Sequence, residues 1–266
     1  MFYTSISEME IQRLSANDRK YISGLSSARR RREECLFVAE GGKCVAELSP
    51  FFSCKWLVAT DAWLMEHGRE LPAGMPVWKA RADELERMSQ VRTPQGVLAV
   101  FAIPDQEAVA PVGDELYIAL DRVQDPGNLG TIIRLADWFG ISRIYASSDT
   151  VDVFNSKVVQ STMGGLARVA VQYCDLPRML EEAVDAGIDV YGTFLGGENL
   201  YTAPLTRGGI IVMGNEGQGI SPEVEALCGH RLTIPPFPTG ASTVESLNVS
   251  VATAVAVAEF RRRIIR

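Results

Sequence analysis

Residues 116–139 read Leu116-Tyr117-Ile118-Ala119-Leu120, then Asp121-Arg122-Val123-Gln124-Asp125-Pro126-Gly127, then Asn128-Leu129-Gly130-Thr131-Ile132-Ile133-Arg134-Leu135-Ala136-Asp137-Trp138-Phe139. The opening five residues are an unbroken apolar run, the pattern of a strand covered on both faces. Asp125-Pro126-Gly127 is a turn, and Asn128 is a suitable N-cap for the helix that follows. Leu129, Ile132, Ile133 and Ala136 recur at helical spacing and form a buried stripe. Gly127, Gly130 and Arg134 fall on a second line, which predicts room beneath an arginine for a bulky ligand at a helix N-terminus that favours anions. A capped surface helix with a solvated arginine accounts for the same residues equally well.

The strand–loop–helix unit repeats downstream. Strands are predicted at Arg143–Ala146, Val169–Tyr173, Asp189–Phe194, Gly209–Met213 and Arg231–Ile234, and helices at Ser156–Gly164, Leu176–Ala186, Pro222–Leu227 and about Ser246–Arg263. Strands separated by helices imply a parallel sheet with both faces covered and with functional loops at the strands' carboxyl ends. Upstream, helices at Ser15–Ser27 (capped by Asn17 or Ser15), Lys43–Leu48 and Asp83–Ser89 alternate with strands at Cys35–Val38, Lys55–Thr60 and Val97–Ile103. They make a smaller α/β sandwich. The Pro- and Gly-bearing stretch from Pro104 to Asp114 reads as a linker. The domains expected are residues 1–104, a linker at 105–114, and residues 115–266.

Composition excludes several classes. No apolar run reaches a membrane span, and Met1–Arg13 carries Glu8 and Glu10 without an apolar core, so it does not read as a signal peptide. A cytoplasmic protein is the expectation. The five cysteines show no Cys-x-x-Cys spacing, so buried thiols are expected rather than a disulfide framework or a metal site. The two histidines, His67 and His230, stand far from any nucleophile signature. Net charge is −7, which is unusual for a nucleic-acid partner. Positive charge is nevertheless clustered, at Arg29–Arg32 and at Arg261–Arg263. Such clusters bind phosphate or simply form a solvated helix face.

Two further loops follow strands. Gly214-Asn215-Glu216-Gly217-Gln218-Gly219 lets backbone approach a ligand closely. It lacks the lysine of a phosphate-binding loop, and its carboxylate suits a ribose or a cationic ligand. Pro235-Pro236-Phe237-Pro238-Thr239-Gly240 leads to Val244-Glu245-Ser246-Leu247-Asn248-Val249 and a small-residue helix. No Gly-x-Gly-x-x-Gly follows the first strand of the larger domain, which argues against a dinucleotide-dependent dehydrogenase.

Asn128-x-Gly130-x-x-x-Arg134, Gly214-Asn215-Glu216-Gly217-x-Gly219 and Glu245-Ser246-Leu247-Asn248-Val249 together resemble the three ordered motifs of the SpoU (TrmH) family of RNA 2′-O-ribose methyltransferases, in the SPOUT (α/β-knot) superfamily. Asn155-Ser156-Lys157-Val158-Val159 to Met163-Gly164 resembles a further family segment, with Gln160 where arginine is common. The first domain resembles the family's L30e-like substrate-binding domain through Asn17, Lys20, Arg29–Arg32 and Phe37-Val38-Ala39-Glu40-Gly41. The resemblance implies a trefoil-knotted catalytic domain, an S-adenosyl-L-methionine cofactor, an RNA substrate (23S ribosomal RNA ahead of transfer RNA) and a homodimer with active sites at the subunit interface. No metal is implied. It places Thr193, Phe194, Leu195, Gly214, Asn215, Glu216, Gly217, Ile234, Pro235, Ser246, Leu247 and Asn248 at the cofactor, and Arg134, Asn128, Glu216, Ser246 and Asn248 in catalysis. Arg29, Arg30, Arg31, Arg32 and Lys157 are the expected RNA contacts. The third motif carries extra residues, Phe237 to Thr243, relative to the family's short loop. A non-catalytic RNA-binding protein that kept the fold is the competing reading, and the intact Arg134, Glu216, Ser246 and Asn248 argue against it.

Overall fold

The computed structural model describes residues 11–72, 74–105, 107–238 and 244–264. In chain order the elements are β1 (Ile11–Arg13), α1 (Ala16–Gly24), α2 (Ala28–Glu34), β2 (Leu36–Glu40), α3 (Gly42–Leu48), β3 (Cys54–Ala59), α4 (Asp61–His67), β4 (Val77–Lys79), α5 (Ala82–Met88) and β5 (Val97–Ala102). They continue with β6 (Leu116–Leu120), α6 (Pro126–Trp138), β7 (Arg143–Ser147), α7 (Ser156–Ser161), β8 (Ala170–Cys174), α8 (Leu176–Asp185), β9 (Val190–Asn199), β10 (Gly209–Met213), α9 (Pro222–Glu225), β11 (His230–Thr233) and α10 (Val249–Ile264). The chain divides into two compact units, Met1–Asp105 with Phe154–Ala167, and Gln106–Val153 with Arg168–Arg266.

The first unit is built on a mixed sheet of order β1-β4-β3-β5-β2, in which β5 runs antiparallel to both of its neighbours. Ser15 caps α1 in a reciprocal box with Asp18, so the cap is Ser15 and not Asn17. Ile22, Leu25, Val38, Val58, Leu85 and Leu98 are among the side chains of its core. Helix α7 packs on β2, where the Gln160 side chain donates to the Glu40 carbonyl at 2.6 Å. Gln160 therefore holds this helix to the sheet. Helices α2 and α4 and the short strands β1 and β4 are additions to the sequence reading. Of the five thiols expected to be buried, Cys44 is buried, Cys54, Cys174 and Cys228 are half-buried, and Cys35, which ends α2 in the left-handed region at φ 51°, is exposed.

The second unit is an all-parallel six-stranded sheet of order β11-β9-β10-β6-β7-β8. β6 and β10 are buried along their whole length, as central strands covered on two faces must be. On one face Tyr117, Ala119, Tyr145, Ile210 and Val212 pack with Leu176, Met179, Leu180 and Ala183 of α8. α10 packs against both α6 and β10. The stretch read as a linker is bonded to this unit: Val109 N–H donates to Gln172 and Val109 C=O accepts from the Tyr145 hydroxyl. No helix among the described residues is long and apolar enough to cross a membrane.

Candidate active site

The loops after β6 and β10 and the segment before α10 meet at the carboxyl ends of the strands, where parallel sheets place their ligands. Asp125, not Asn128, caps α6: its side chain accepts from Asn128 N at 2.9 Å, with Pro126 in the first turn. The cap expected at Asn128 therefore sits three residues upstream. Relieved of capping, the buried Asn128 side chain is free to face the other loops. Its Nδ2 donates to Glu216 Oε1 at 2.9 Å, and its Oδ1 accepts from Asn248 Nδ2 at 3.0 Å. One amide thus joins all three motifs. Asn248 uses its own Oδ1 to take the Ser250 and Val251 amides at the start of α10, so the relay ends on a helix cap.

The glycine loop is folded on itself. Asn215 and Gly219 exchange both backbone hydrogen bonds, and Asn215 Oδ1 accepts from Gly217 N and Gln218 N. A Cβ on Gly214 would lie 2.3 Å from the backbone at Gly219 and Ile220, and Gly219 has φ +70°, so both positions require glycine. Asn215 Nδ2 donates to the carbonyl of Arg122 at 2.8 Å. Arg122 sits at φ 60°, an uncommon conformation for a long side chain. Its guanidinium reaches Gln218 Oε1 at 3.2 Å and lies beside Asp121. Sequence reading did not single out Arg122, since nothing local encodes its backbone conformation.

β9 supplies the next wall. Its pairing with β11 shifts between Arg231 and Leu232, so that consecutive β11 residues face Gly192 and Glu198. The residues between, Thr193 to Gly197, are looped out of register, and bulges of this kind re-aim side chains at sites. Thr193 is fixed by donation to the Val212 carbonyl at 3.0 Å.

These parts enclose a cleft of about 1120 Å³. All twelve residues expected at the cofactor, namely Thr193, Phe194, Leu195, Gly214, Asn215, Glu216, Gly217, Ile234, Pro235, Ser246, Leu247 and Asn248, line it. So do Glu245, which opens the third motif, and Glu225 and Arg231, which sequence reading passed over because they lie outside the motifs and carry no spacing signal. Arg231 is the sole cation among the described lining residues. It is ion-paired with Glu225 and stacked 3.8 Å above the Phe194 ring. With Glu216 and Glu245 otherwise uncompensated by lining cations, the cleft favours a positively charged occupant with an apolar part over a polyphosphate. A sulfonium nucleoside such as S-adenosylmethionine meets that description.

Arg134 is placed differently. It is exposed on α6, does not line the cleft, and has no hydrogen-bond or ion-pair partner among the described residues. Gly130 is buried rather than open beneath it, and Gly127 is half-buried. Thr131, Arg134 and Trp138 form one exposed face of α6, with Trp138 85% exposed.

The basic clusters are largely committed. Arg31 is 3% exposed and donates to the carbonyls of Leu25 and Ser26 at 2.9 and 2.8 Å, which removes it from the expected RNA contacts. Arg30 lies over the Tyr21 ring, and Arg29 pairs with Glu33 on the surface. Arg32 and Lys157 are exposed. At the C-terminus, Arg261 donates to the carbonyls of Phe139 and Gly140, closing the end of α6, while Arg262 and Arg263 bond the buried Glu259. Of the extra third-motif residues, 239–243 lie outside the described residues, as do Met1–Glu10 of the stretch read for a leader.

Comparison with known proteins gives a consistent picture. Residues 115–258 match the SpoU rRNA methylase family, and residues 17–99 match the MRM3-like substrate-binding domain. The chain is 30% identical over 240 residues, 89% of its length and 93% of the relative's, to the 23S rRNA (guanosine(2553)-2′-O)-methyltransferase RlmP of Bacillus subtilis. A solved TrmH-family structure from Porphyromonas gingivalis superposes with TM-score 0.84 at 44% identity, over 94% of this chain and 99% of that one. The AdoMet-bound rRNA methyltransferase of Sinorhizobium meliloti superposes with TM-score 0.84 at 28% identity, over 97% and 100%.

Proposed function

The chain belongs to the SpoU rRNA methylase family, and from that premise we propose that it transfers a methyl group from S-adenosylmethionine to the 2′-oxygen of a guanosine in 23S ribosomal RNA. The observation that carries the proposal is the Asn128 amide bridging Glu216 and Asn248, which ties the first motif to the two motifs that line one acidic cleft. The guanosine and the large ribosomal RNA follow the relative RlmP. The first 104 residues act as the RNA-binding domain, through Arg29, Arg30 and Arg32, and Lys157 of α7 adds a further RNA contact.

The cleft residues hold the cofactor through the backbone of Gly214 and Gly217, the segment at Ile234 and Pro235, and Ser246, Leu247 and Asn248. S-adenosylmethionine, when bound, supplies an electrophilic methyl group on a sulfonium sulfur. The ribose 2′-hydroxyl is a weak nucleophile and must lose its proton as the new O–C bond forms. A guanidinium does not deprotonate near neutral pH, so Arg134 serves to fix the adjacent phosphate and to stabilise charge developing on the 2′-oxygen. The proton leaves through phosphate or water. Arg134 stands outside its own cleft on a face that also exposes Trp138. That placement supports a homodimer in which Arg134 of one copy completes the site of the other.

The test is transfer of labelled methyl from S-adenosylmethionine to total RNA from a strain lacking the protein, wild type beside Arg134→Ala. Label in large ribosomal RNA at a ribose 2′-oxygen, lost in the variant, is the expected result. Wild-type protein that binds RNA but transfers no label would instead establish a non-catalytic RNA-binding protein.

A further inference from the structure

The mouth of the cleft carries apolar side chains that hold nothing in place. Phe237 is 95% exposed and Leu195 73% exposed, and both line the opening. Single exposed apolar residues are ordinary on protein surfaces, so the weight lies on three features of Phe237 taken together.

The first is its support. Phe237 stands in Pro235-Pro236-Phe237-Pro238, where each proline fixes its own φ. A stiff segment presents the ring with few conformations to lose on binding. The second is the ring's isolation. Among the described residues it has no aromatic or cation–π partner, unlike Phe194 a few ångströms from Arg231. The third is the charge around it. Glu216, Glu225 and Glu245 line the cleft, and its one described cation, Arg231, is paired with Glu225. The described lining of one chain offers no free cation to a phosphate, so apart from the phosphate assigned to Arg134 a nucleic acid entering here is recognised through its uncharged part. The flat face of a base is that part, and aromatic side chains are its usual platform in single-stranded RNA.

We propose that Phe237 is a stacking platform for an unpaired nucleobase of the RNA substrate at the mouth of the cleft. This rests on the reading of the chain as an RNA methyltransferase. It implies that the substrate offers an unpaired base beside the methylated ribose, because a base inside a duplex has no free face. It also implies that this contact adds affinity without adding salt dependence, which comes from phosphate contacts.

The test uses the full-length protein with Phe237→Ala and Phe237→Trp. Methyl transfer is measured on ribosomal RNA from a strain lacking the protein, and binding on a short unstructured oligoribonucleotide and on its duplex. Expected for Phe237→Ala is a rise of about tenfold in KM for RNA, the scale of one lost base stack. Its kcat and cofactor Kd stay within about twofold, and the slope of log affinity against log salt is unchanged. Phe237→Trp keeps the wild-type KM and adds tryptophan emission that the single strand quenches and the duplex does not. Weaker cofactor binding by Phe237→Ala without RNA would make the ring a cofactor cover and overturn the proposal. A changed oligomeric state would assign the ring to a second copy, and an unchanged KM would leave it no role; either overturns the proposal as well. A wild type that methylates no RNA is a separate failure, that of the functional reading itself.

Discussion

Asn128 Nδ2 donates to Glu216 Oε1 at 2.9 Å across 88 residues of sequence, and the same side chain accepts from Asn248 Nδ2. An amide suits this position because it offers one donor to a carboxylate and one acceptor to another amide at once. Asn128→Asp keeps the shape and the acceptor but sets a carboxylate against Glu216. The expected result is a loss of methyl transfer of at least about tenfold and a destabilisation of roughly 1–3 kcal/mol, the cost of leaving a buried polar pair unmatched. Urea midpoints and single-turnover transfer measure the two effects. A variant with wild-type rates would remove the bridge from the working site.

Arg134 bears on the assembly. It is exposed, stands outside the cleft and shares its helix face with Trp138. If each site takes Arg134 from a second copy, then Arg134→Ala and Asn248→Ala are both inactive alone and restore one intact site in a mixed dimer. Equal mixing, after dissociation and reassociation, should recover about a quarter of wild-type activity. No recovery, with mixed dimers verified by tag pull-down, would place Arg134 in the site of its own chain. Arg134→Lys should lose most of the transfer rate while cofactor Kd holds, since a point charge cannot replace a bidentate fork.

Arg29 to Arg32 make a sharper contrast than their shared identity suggests. Arg31 is buried against the carbonyls of Leu25 and Ser26, so Arg31→Ala should destabilise the protein by about 2–3 kcal/mol, as loss of buried charge-assisted hydrogen bonds does. Arg32→Ala should leave the melting temperature alone and weaken RNA binding with a shallower salt dependence. If Arg32→Ala and Arg31→Ala behaved alike in both assays, burial would not be what separates them.

How far the sequence carries the fold depends on where each pattern gets its cause. Leu116–Leu120 and Gly209–Met213 are legible to the residue because burial on both faces writes a continuous apolar run. Residues 195–199 of β9 are not legible: Leu195-Gly196-Gly197-Glu198-Asn199 shows no alternation, and its strand character comes from pairing with β11. The start of α6 is legible only to within three residues, because Asn128 satisfies the same cap preference as Asp125. Pro126, a favoured first helical residue, is the signal that separates them. Four consecutive arginines look equivalent until a helix turns each by about 100° and sends one inward. The cleft itself was legible only through motif resemblance. Its charge balance, set by Glu225 and Arg231 meeting from α9 and β11, required the fold.

Glu259 supplies the pH dependence. It is 5% exposed on α10, and Arg262 bonds both of its oxygens at 2.7 and 2.8 Å while Arg263 adds a third contact at 2.8 Å. The hydrogen bonds from Arg262, with those from Arg263 next among the favourable contacts, hold its carboxyl down at about 2 against the burial that would raise it. Arg263 also donates to the carbonyls of Ala203 and Leu200, so the cluster ties α10 to the segment before β10. A carboxyl whose pKa is lower folded than unfolded stabilises fully above the unfolded value. That contribution is lost as pH falls through the interval between about 4.5 and 2. Glu259→Gln should therefore cost about 1–2 kcal/mol at pH 7, after screening through the exposed Arg262. The gap between wild type and variant should narrow below pH 4.5 and close near pH 2. Urea midpoints across that range measure it. An equal gap at pH 3 and pH 7 would show that the carboxylate charge is not what anchors the helix.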